Sequence, residues 1–529
     1  MAVRDQGHGT HRCLSCWLTD RGRDDADRDF LLLGDRHLAF GELAARSATA
    51  AGALRAAGAR PGDVIATVDN NSVEHVVAMF ACVAGGFVWA PINPMLGPAD
   101  LPGLLERLAP RIVLVTDATA EAVRAVDGEW EVRALGELDG PMPQRPLEPH
   151  HWADDEVCWI VHSGATTGAP KALELPHGYG LACSSRLIRA LALARDDRFY
   201  STLQMYHAWL PLHVLNACLR VGATVATRRW FSASSWADDV EHFAATVSDP
   251  FIAMIAAVLR QPVGSEPSPR AASLRTVIGV MNDGTPNGAE LRARFADRFN
   301  VRTINIYGLT ECGGLVTAEG QDDAALNSCG TAAPEFEVAI VDDAGRTLPA
   351  GQVGEIAVRP RESNITAVRY RGDAESAAHM WHGRWIHTGD FGRLDGEGRL
   401  FYEGRDAFWL RRKGENFSAV EVERVAVEHA HVEQAAVVST PSELGEDEVR
   451  LFVTARAGTE IDLQDVHTHI AERLAYFKVP RFIDVRDELP TVVKGDIDRQ
   501  ALRALPLDAR TWDAGPRRAG ESAERRHRP

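Results

Sequence analysis

The chain has 529 residues, 45% hydrophobic and 25% charged, with a formal net charge of −17. That supplies apolar material for a large core and more than one domain, and the acidic excess argues against a broad nucleic-acid or anionic-membrane surface while leaving room for a local basic groove. No apolar run is long enough to cross a bilayer, and Met1–Thr19, with His8, His11 and Arg12 among glycines, lacks the apolar segment of an export signal, so a reducing cytoplasm is expected. Of the eight cysteines, only Cys13-Leu-Ser-Cys16 are closely spaced. With no second pair they read as two unlinked thiols in preference to a metal site using His8 or His11. Among 57 Lys and Arg residues the lysines stand only at 171, 413, 478 and 494. Either codon usage left them there, or lysine is kept where a compact ammonium is needed.

In chain order, Leu31-Leu-Leu and His37-Leu-Ala-Phe suggest a hairpin. Gly41 to Ala57 suggests an alanine-rich helix stopped by Gly58, and Asp63 to Val68 a strand after Pro61-Gly62. A helix over Ser72 to Ala84 and a strand over Val88 to Pro91 follow. Residues 139 to 155, with four prolines and the solvated pair His150-His151, read as a linker. Val157 to Val161 is a buried strand emptying into Ser163-Gly-Ala-Thr-Thr-Gly-Ala-Pro-Lys171. This is a phosphate-loop composition: glycines Gly164 and Gly168 bring backbone N–H groups close, Ser163, Thr166 and Thr167 add hydroxyls, and Lys171 adds a positive charge. Pro170 separates it from the G-x-x-x-x-G-K-[ST] loop, and it is not G-x-G-x-x-G.

The loop resembles the signature loop of the adenylate-forming superfamily of acyl-CoA synthetases, peptide-synthetase adenylation domains and luciferases, [ST]-S-G-[ST]-T-G-x-P-K, with Ala165 at the expected first glycine and Gly164 at the serine before it. A helix over Tyr179 to Ala194 leads to Tyr206-His207. There the family carries an aromatic–His pair after a proline, replaced here by Gln204, and the His region walls the acyl pocket. An ordinary core or loop histidine is an equally open reading of His207. Leu274 to Val280 is a strand, and Asn282-Asp-Gly284-Thr285-Pro286 stands where relatives carry a turn against adenine. After a helix over Ala289 to Phe299 and a strand over Val301 to Ile306 comes Tyr307-Gly308-Leu-Thr310-Glu311, matching the family's Y-G-x-T-E in full. The match implies Tyr307 stacked on adenine, Thr310 on the α-phosphate and Glu311 as a hard oxygen ligand for Mg²⁺.

From Gly330 the pattern changes to short β-strands. Within it Thr388-Gly-Asp390 resembles the family's T-G-D, whose aspartate accepts both ribose hydroxyls, and Arg405 is expected on the ribose. Phe408 occupies the hinge position, usually Asp or Lys, and its preference for burial is expected to favour one domain orientation. Lys413-Gly414-Glu415-Asn-Phe-Ser with Glu421-Val-Glu423 resembles the family's pantetheine-lining segment, although Arg411 to Lys413 read equally as a solvated charge run. Near the end, Asp496 stands where relatives place the lysine that bridges carboxylate and α-phosphate, and Lys494 lies two residues earlier. An aspartate there repels the two anions that a lysine attracts.

The resemblance spans about Leu31 to Arg503. It implies an α/β protein with a large multi-subdomain N-terminal domain, including a β-rich subdomain, over 1–404. A small mobile α+β domain over 405–507 and a disordered tail over 508–529 complete it. The implied chemistry is carboxylate plus ATP giving acyl-AMP and pyrophosphate, with Mg²⁺, then attack by a thiol, CoA, releasing AMP. Thr166, Lys171, His207, Glu311 and Lys494 are the expected catalytic residues. If Lys494 reaches the site, both half-reactions are expected; if not, adenylation slows and thioester formation persists. The alternative from another class is a non-catalytic binder of nucleotide or acyl-CoA. An amino-acid substrate is disfavoured because no carboxylate near Tyr206-His207 is evident to hold an α-amine.

Overall fold

The computed structural model describes residues 13–96, 100–138, 148–163, 171–261, 271–281, 288–320, 327–342, 344–372, 381–405, 409–412, 415–441, 447–474, 478–491, 497–508 and 510–515. It contains two large, mostly parallel sheets, a smaller antiparallel sheet and a separate C-terminal sheet. The nine-stranded sheet runs, in spatial order, Thr331–Ala332, Thr317–Ala318, Arg302–Tyr307, Thr276–Gly279, Val247–Ser248, Arg198–Ser201, Thr224–Thr227, Asp29–Leu33 and Arg36–Ala39. Its six central strands are parallel, and apolar or β-branched residues dominate them, as burial on both faces requires.

The seven-stranded sheet runs Arg369–Tyr370, Lys171–Pro176, Val157–Ser163, Val88–Ile92, Val64–Val68, Ile112–Val115 and Glu131–Ala134. Lys171–Pro176 runs antiparallel to both of its neighbours, Arg369–Tyr370 and Val157–Ser163. Glu174, 2% exposed, is held there by Arg369 at 2.8 Å and Arg371 at 2.9 Å, so two guanidinium groups compensate one buried carboxylate where the late strand docks. The helix Val73–Gly85 starts at Ser72, whose hydroxyl accepts the His75 N–H at 3.0 Å, and ends at Gly86 with φ 78°. These are a serine N-cap and a left-handed glycine stop. Twelve of its residues are buried because it sits in the largest core, which draws side chains such as Phe30, Leu31, Ile65 and Trp89 from both large sheets.

The third sheet joins Phe336–Val341, Gly354–Pro360, Trp385–Leu394 and Trp381–His382, with Leu400–Arg405 on Trp385–Leu394. Beyond it, Trp409–Arg412 and Glu415–Ser418 form a two-stranded ribbon. The C-terminal sheet then joins Val432–Pro441, Asp447–Ala455, Phe482–Arg486 and Trp512–Asp513, with helices Ala419–Val427 and Leu463–Arg473 beside it. Inside this unit Arg450 and Asp484, both essentially inaccessible, meet at 2.9 Å. The expected large N-terminal and small C-terminal architecture is therefore present.

Three features differ from the sequence expectation. A helix, Leu14–Asp24, lies in the N-terminal stretch for which none was expected. The described part of the supposed linker is anchored: Trp152 is 7% exposed and its Nε1 donates to the Val83 carbonyl at 2.8 Å. The tail expected from 508 onward is corrected in part, because Trp512–Asp513 pairs with Phe482–Ile483 and Arg481 meets Asp513 at 3.0 Å. An indole on Ile483 and a charge pair outweigh the local polar composition. No helix among the described residues is long and apolar enough to cross a membrane.

Candidate functional site

Four segments far apart in sequence meet around the end of the strand Arg302–Tyr307. Tyr307 is its last residue, and its hydroxyl donates to Asp390 Oδ2 at 2.9 Å. Burial, with the Asp390 charge next, holds the Tyr307 phenol well above its usual range, so it remains a donor. Asp390 is positioned in turn by its own N–H on Thr388 Oγ1 at 3.1 Å, while Thr388 donates to the Ile356 carbonyl at 2.7 Å. Across the ladder Asp390 is the register partner of Arg405.

Past Tyr307 the chain turns through Gly308, where an added Cβ would lie 1.3 Å from the Gly314 carbonyl oxygen; only glycine admits that approach. The turn continues into the short helix Thr310–Cys312. Tyr179 donates its hydroxyl to the Thr310 carbonyl at 3.1 Å, and the Ala367 N–H donates to the Glu311 carbonyl at 3.1 Å. The Glu311 side chain, half-buried, accepts the Tyr370 hydroxyl on Oε1 at 2.9 Å. Lys171 opens the strand Lys171–Pro176, in register with Ser163, and its Nζ lies 5.2 Å from the centre of the Tyr370 ring. Tyr370 thus ties the residue closing the loop segment to the carboxylate of the Tyr307–Glu311 turn, using its face for a cation and its hydroxyl for an anion.

Behind the turn lies a second layer. Gly313 and Gly314 have φ of 105° and 81°, and a Cβ on Gly314 would sit 2.3 Å from His213 Nε2. His213 is fully buried and stacks on Trp209 at 4.6 Å between ring centres; burial, then the Arg186 charge, pushes it down to about 3, so it is neutral. Trp209 Nε1 donates to Asp249 Oδ2 at 3.0 Å, and burial raises this carboxyl to about 6. Trp209–Leu215 is a π-helix, a wide turn frequent at functional sites. His207 is exposed, with its ring 4.8 Å from that of Tyr206; the core reading of this histidine is thereby excluded.

The structure therefore brings together Lys171, Tyr307, Gly308, Thr310, Glu311 and Asp390, with Ser163 and Arg405 placed by backbone register. Glu415 opens the second strand of the two-stranded ribbon. Gly164, Thr166, Thr167, Gly168, Gly284, Thr285, Pro286, Phe408, Lys413, Gly414, Lys494 and Asp496 lie outside the described residues. Lys478 meets Glu421 at 2.6 Å within the C-terminal unit. Sequence reading missed Tyr179, Tyr370, His213 and the Gly313-Gly314 pair. One signal was present: the chain has seven tyrosines, and Tyr179, Tyr307, Tyr370 and Tyr402 all gather here, the Tyr307 and Tyr402 rings 6.0 Å apart. Glu311 offers a hard oxygen held by a neutral donor, a donor set that fits Mg²⁺ shared with phosphate oxygens.

This fold and site define a nucleotide-binding enzyme assembled from a large body and a small C-terminal unit. The AMP-binding enzyme family model matches residues 18–365 and the AMP-binding enzyme C-terminal domain model matches 421–495; the chain belongs to the AMP-binding enzyme family. It is 28% identical over 505 residues to a feruloyl-CoA synthase of an Amycolatopsis species, covering 95% of this chain and 99% of that protein. It is 26% identical over 471 residues to a crotonobetaine/carnitine–CoA ligase of Shigella sonnei, covering 84% and 89%. Among solved structures, an anthranilate CoA ligase in complex with anthranoyl-AMP superposes with a TM-score of 0.83 at 23% identity, covering 94% of this chain and 98% of that one.

Proposed function

We propose that the protein is an AMP-forming acid–thiol ligase that activates a carboxylic acid with ATP as acyl-AMP and transfers the acyl group to CoA. The observation that carries this reading is the junction at Tyr370, where Lys171 and Glu311 meet beside the Tyr307–Asp390 pair. A carboxylate is a poor electrophile; when one of its oxygens bonds to the α-phosphorus of ATP and pyrophosphate leaves, the acyl carbon gains AMP as leaving group. In this reading Asp390, fixed by Tyr307, accepts the ribose hydroxyls with Arg405 beside it. Tyr307 packs at the base, while Gly284, Thr285 and Pro286 flank the base from their turn. Thr310 holds the α-phosphate. Ser163, Gly164, Thr166, Thr167 and Gly168 cradle the phosphates, and Lys171 neutralises them. Mg²⁺ bound through Glu311 supplies charge neutralisation on the phosphate oxygens. Pantetheine passes Lys413, Gly414 and Glu415 in the small domain, 405–507, with Phe408 as hinge.

His207, exposed beside Tyr206, is assigned to the wall of the acyl pocket. Lys494 is assigned to the substrate carboxylate and α-phosphate in place of the lysine that Asp496 displaces. If it is not used, the thioester half-reaction is the one retained. The relatives named as CoA ligases support CoA over a carrier-protein thiol. The test is a mass-spectrometric screen of aryl, arylpropenoic and short aliphatic acids with ATP, Mg²⁺ and CoA. AMP release and an acyl-CoA product from at least one acid are expected. ATP binding by titration calorimetry with no turnover of any acid, nor of supplied acyl-AMP, would establish a non-catalytic binder instead.

A further inference from the structure

We propose that Cys13, Cys16 and His151 form a site for a thiophilic divalent cation, Zn²⁺ by the chemistry of its ligands, which clamps the N-terminal helix to the segment ahead of the strand Val157–Ser163. Cys13 is the N-cap of the helix Leu14–Asp24, and Cys16 lies in its first turn. His151 reaches the same point from 135 residues away, its Nδ1 3.8 Å from Cys16 Sγ, and the three ligand atoms all lie within 4.8 Å of one another. In a tetrahedral zinc site, metal–sulfur bonds of about 2.3 Å and metal–nitrogen bonds of about 2.0 Å place neighbouring ligand atoms roughly 3.5–3.8 Å apart. Small side-chain rotations therefore suffice to close this trio on one ion, with a fourth position for water.

The surroundings hold the ligands in place. Ser15 donates to the His150 carbonyl at 2.5 Å and lies 2.8 Å from Cys13 Sγ, so it braces both the first cysteine and the residue before the histidine. The His150 N–H is tied to the Ala84 carbonyl at 2.9 Å, and the Trp152 indole to Val83. The Leu14 N–H donates to His177 Nε2 at 3.2 Å, and His177 stacks on Trp152 with 8° between ring planes. On binding, each ligating thiol gives its proton to solvent and the sulfur–metal bond takes its place. Cysteine arithmetic alone pointed to unlinked thiols, because the third ligand is remote in sequence and invisible to spacing.

The test uses the full chain, kept reduced without added thiol, stripped by a chelator and titrated with Co²⁺. One equivalent should bind with a thiolate-to-cobalt charge-transfer band and the ligand-field bands of a tetrahedral site, and Zn²⁺ should bleach them. Cys16→Ser and His151→Gln, both at accessible positions, should each weaken Co²⁺ binding by more than about tenfold; the exposed control His37→Gln should not. Far-ultraviolet circular dichroism keeps a folding defect separate from ligand loss. Absence of the charge-transfer band, its persistence with undiminished intensity and affinity in Cys16→Ser, or its loss on removing His8 and His11 but not His151 would each overturn the proposal. So would a Cys13–Cys16 disulfide that forms regardless of Zn²⁺. None of these readouts depends on ligase activity.

Discussion

Replacing Tyr370 by Phe isolates one hydroxyl in the site. It deletes the 2.9 Å bond to Glu311 Oε1 and keeps the ring that lies 5.2 Å from Lys171 Nζ. A hydrogen bond to a charged group is worth about 1.5–3 kcal/mol. Glu311 is half-buried, so solvent takes part of that and about 1.5–2 kcal/mol remains. If Glu311 acts on the phosphates, the adenylation barrier should rise by this amount and the acid-dependent ATP–pyrophosphate exchange rate should fall roughly 10- to 30-fold. Unfolding free energy should move by less than about 1 kcal/mol, since Tyr370 is only half-buried. Tyr370→Leu removes the ring as well and should cost a further factor of about 2–5 through the lost cation–π contact. In a double-mutant cycle with Glu311→Gln, the hydroxyl should matter only while the carboxylate is present. Exchange within twofold of wild type, or a loss that appears equally with Glu311→Gln in place, would refute the idea that Tyr370 works by aiming Glu311.

Other perturbations have equally definite outcomes. Asp249, raised by burial to about 6 from 3.8, contributes stability in full below pH 4 and loses it as pH climbs through 6. At about 1.36 kcal/mol per unit, the unfolding free energy of wild type relative to Asp249→Asn should fall by about 3 kcal/mol between pH 3 and 8; parallel curves would argue against a neutral buried acid. Arg450→Met strips the fork from Asp484 and should cost the C-terminal unit about 3–5 kcal/mol in denaturant unfolding, with Asp484→Leu restoring much of it. Gly308→Ala, which drives a Cβ to 1.3 Å from the Gly314 carbonyl oxygen, should abolish nucleotide binding by calorimetry. Lys494→Ala should lower pyrophosphate exchange and Asp496→Ala should not; unchanged exchange in the first removes Lys494 from the reaction.

The parts of this structure legible in the sequence were those governed by local rules. Short apolar and β-branched runs bounded by turn residues located the strands 64–68, 88–92 and 302–307 to within a residue, and the Ser72 and Gly86 signals bounded the helix between the first two. The Tyr307–Glu311 turn and Asp390 were legible because their chemistry is written in contiguous residues. Tyr370 was not, since Arg369-Tyr370 becomes part of the site only by pairing with Leu173 and Glu174 nearly two hundred residues earlier. The helix Leu14–Asp24 was missed for a related reason: its polar composition is offset by Leu14 and Leu18, which pack into a core built from distant strands. Trp512, read as tail, is held by Ile483 across a ladder that no local pattern announces.

The docking of Arg369–Tyr370 on Lys171–Pro176 also bears on how the chain matures. Until residue 371 has left the ribosome, the strand beginning at Lys171 presents an uncovered row of backbone donors and acceptors, an invitation to pair with a neighbouring nascent chain. Fragments ending before that point keep most of the nucleotide motifs yet leave this flank bare. Shortened versions of the protein should therefore precipitate before they can be assayed, and chaperone dependence during synthesis should lift once the late strand arrives.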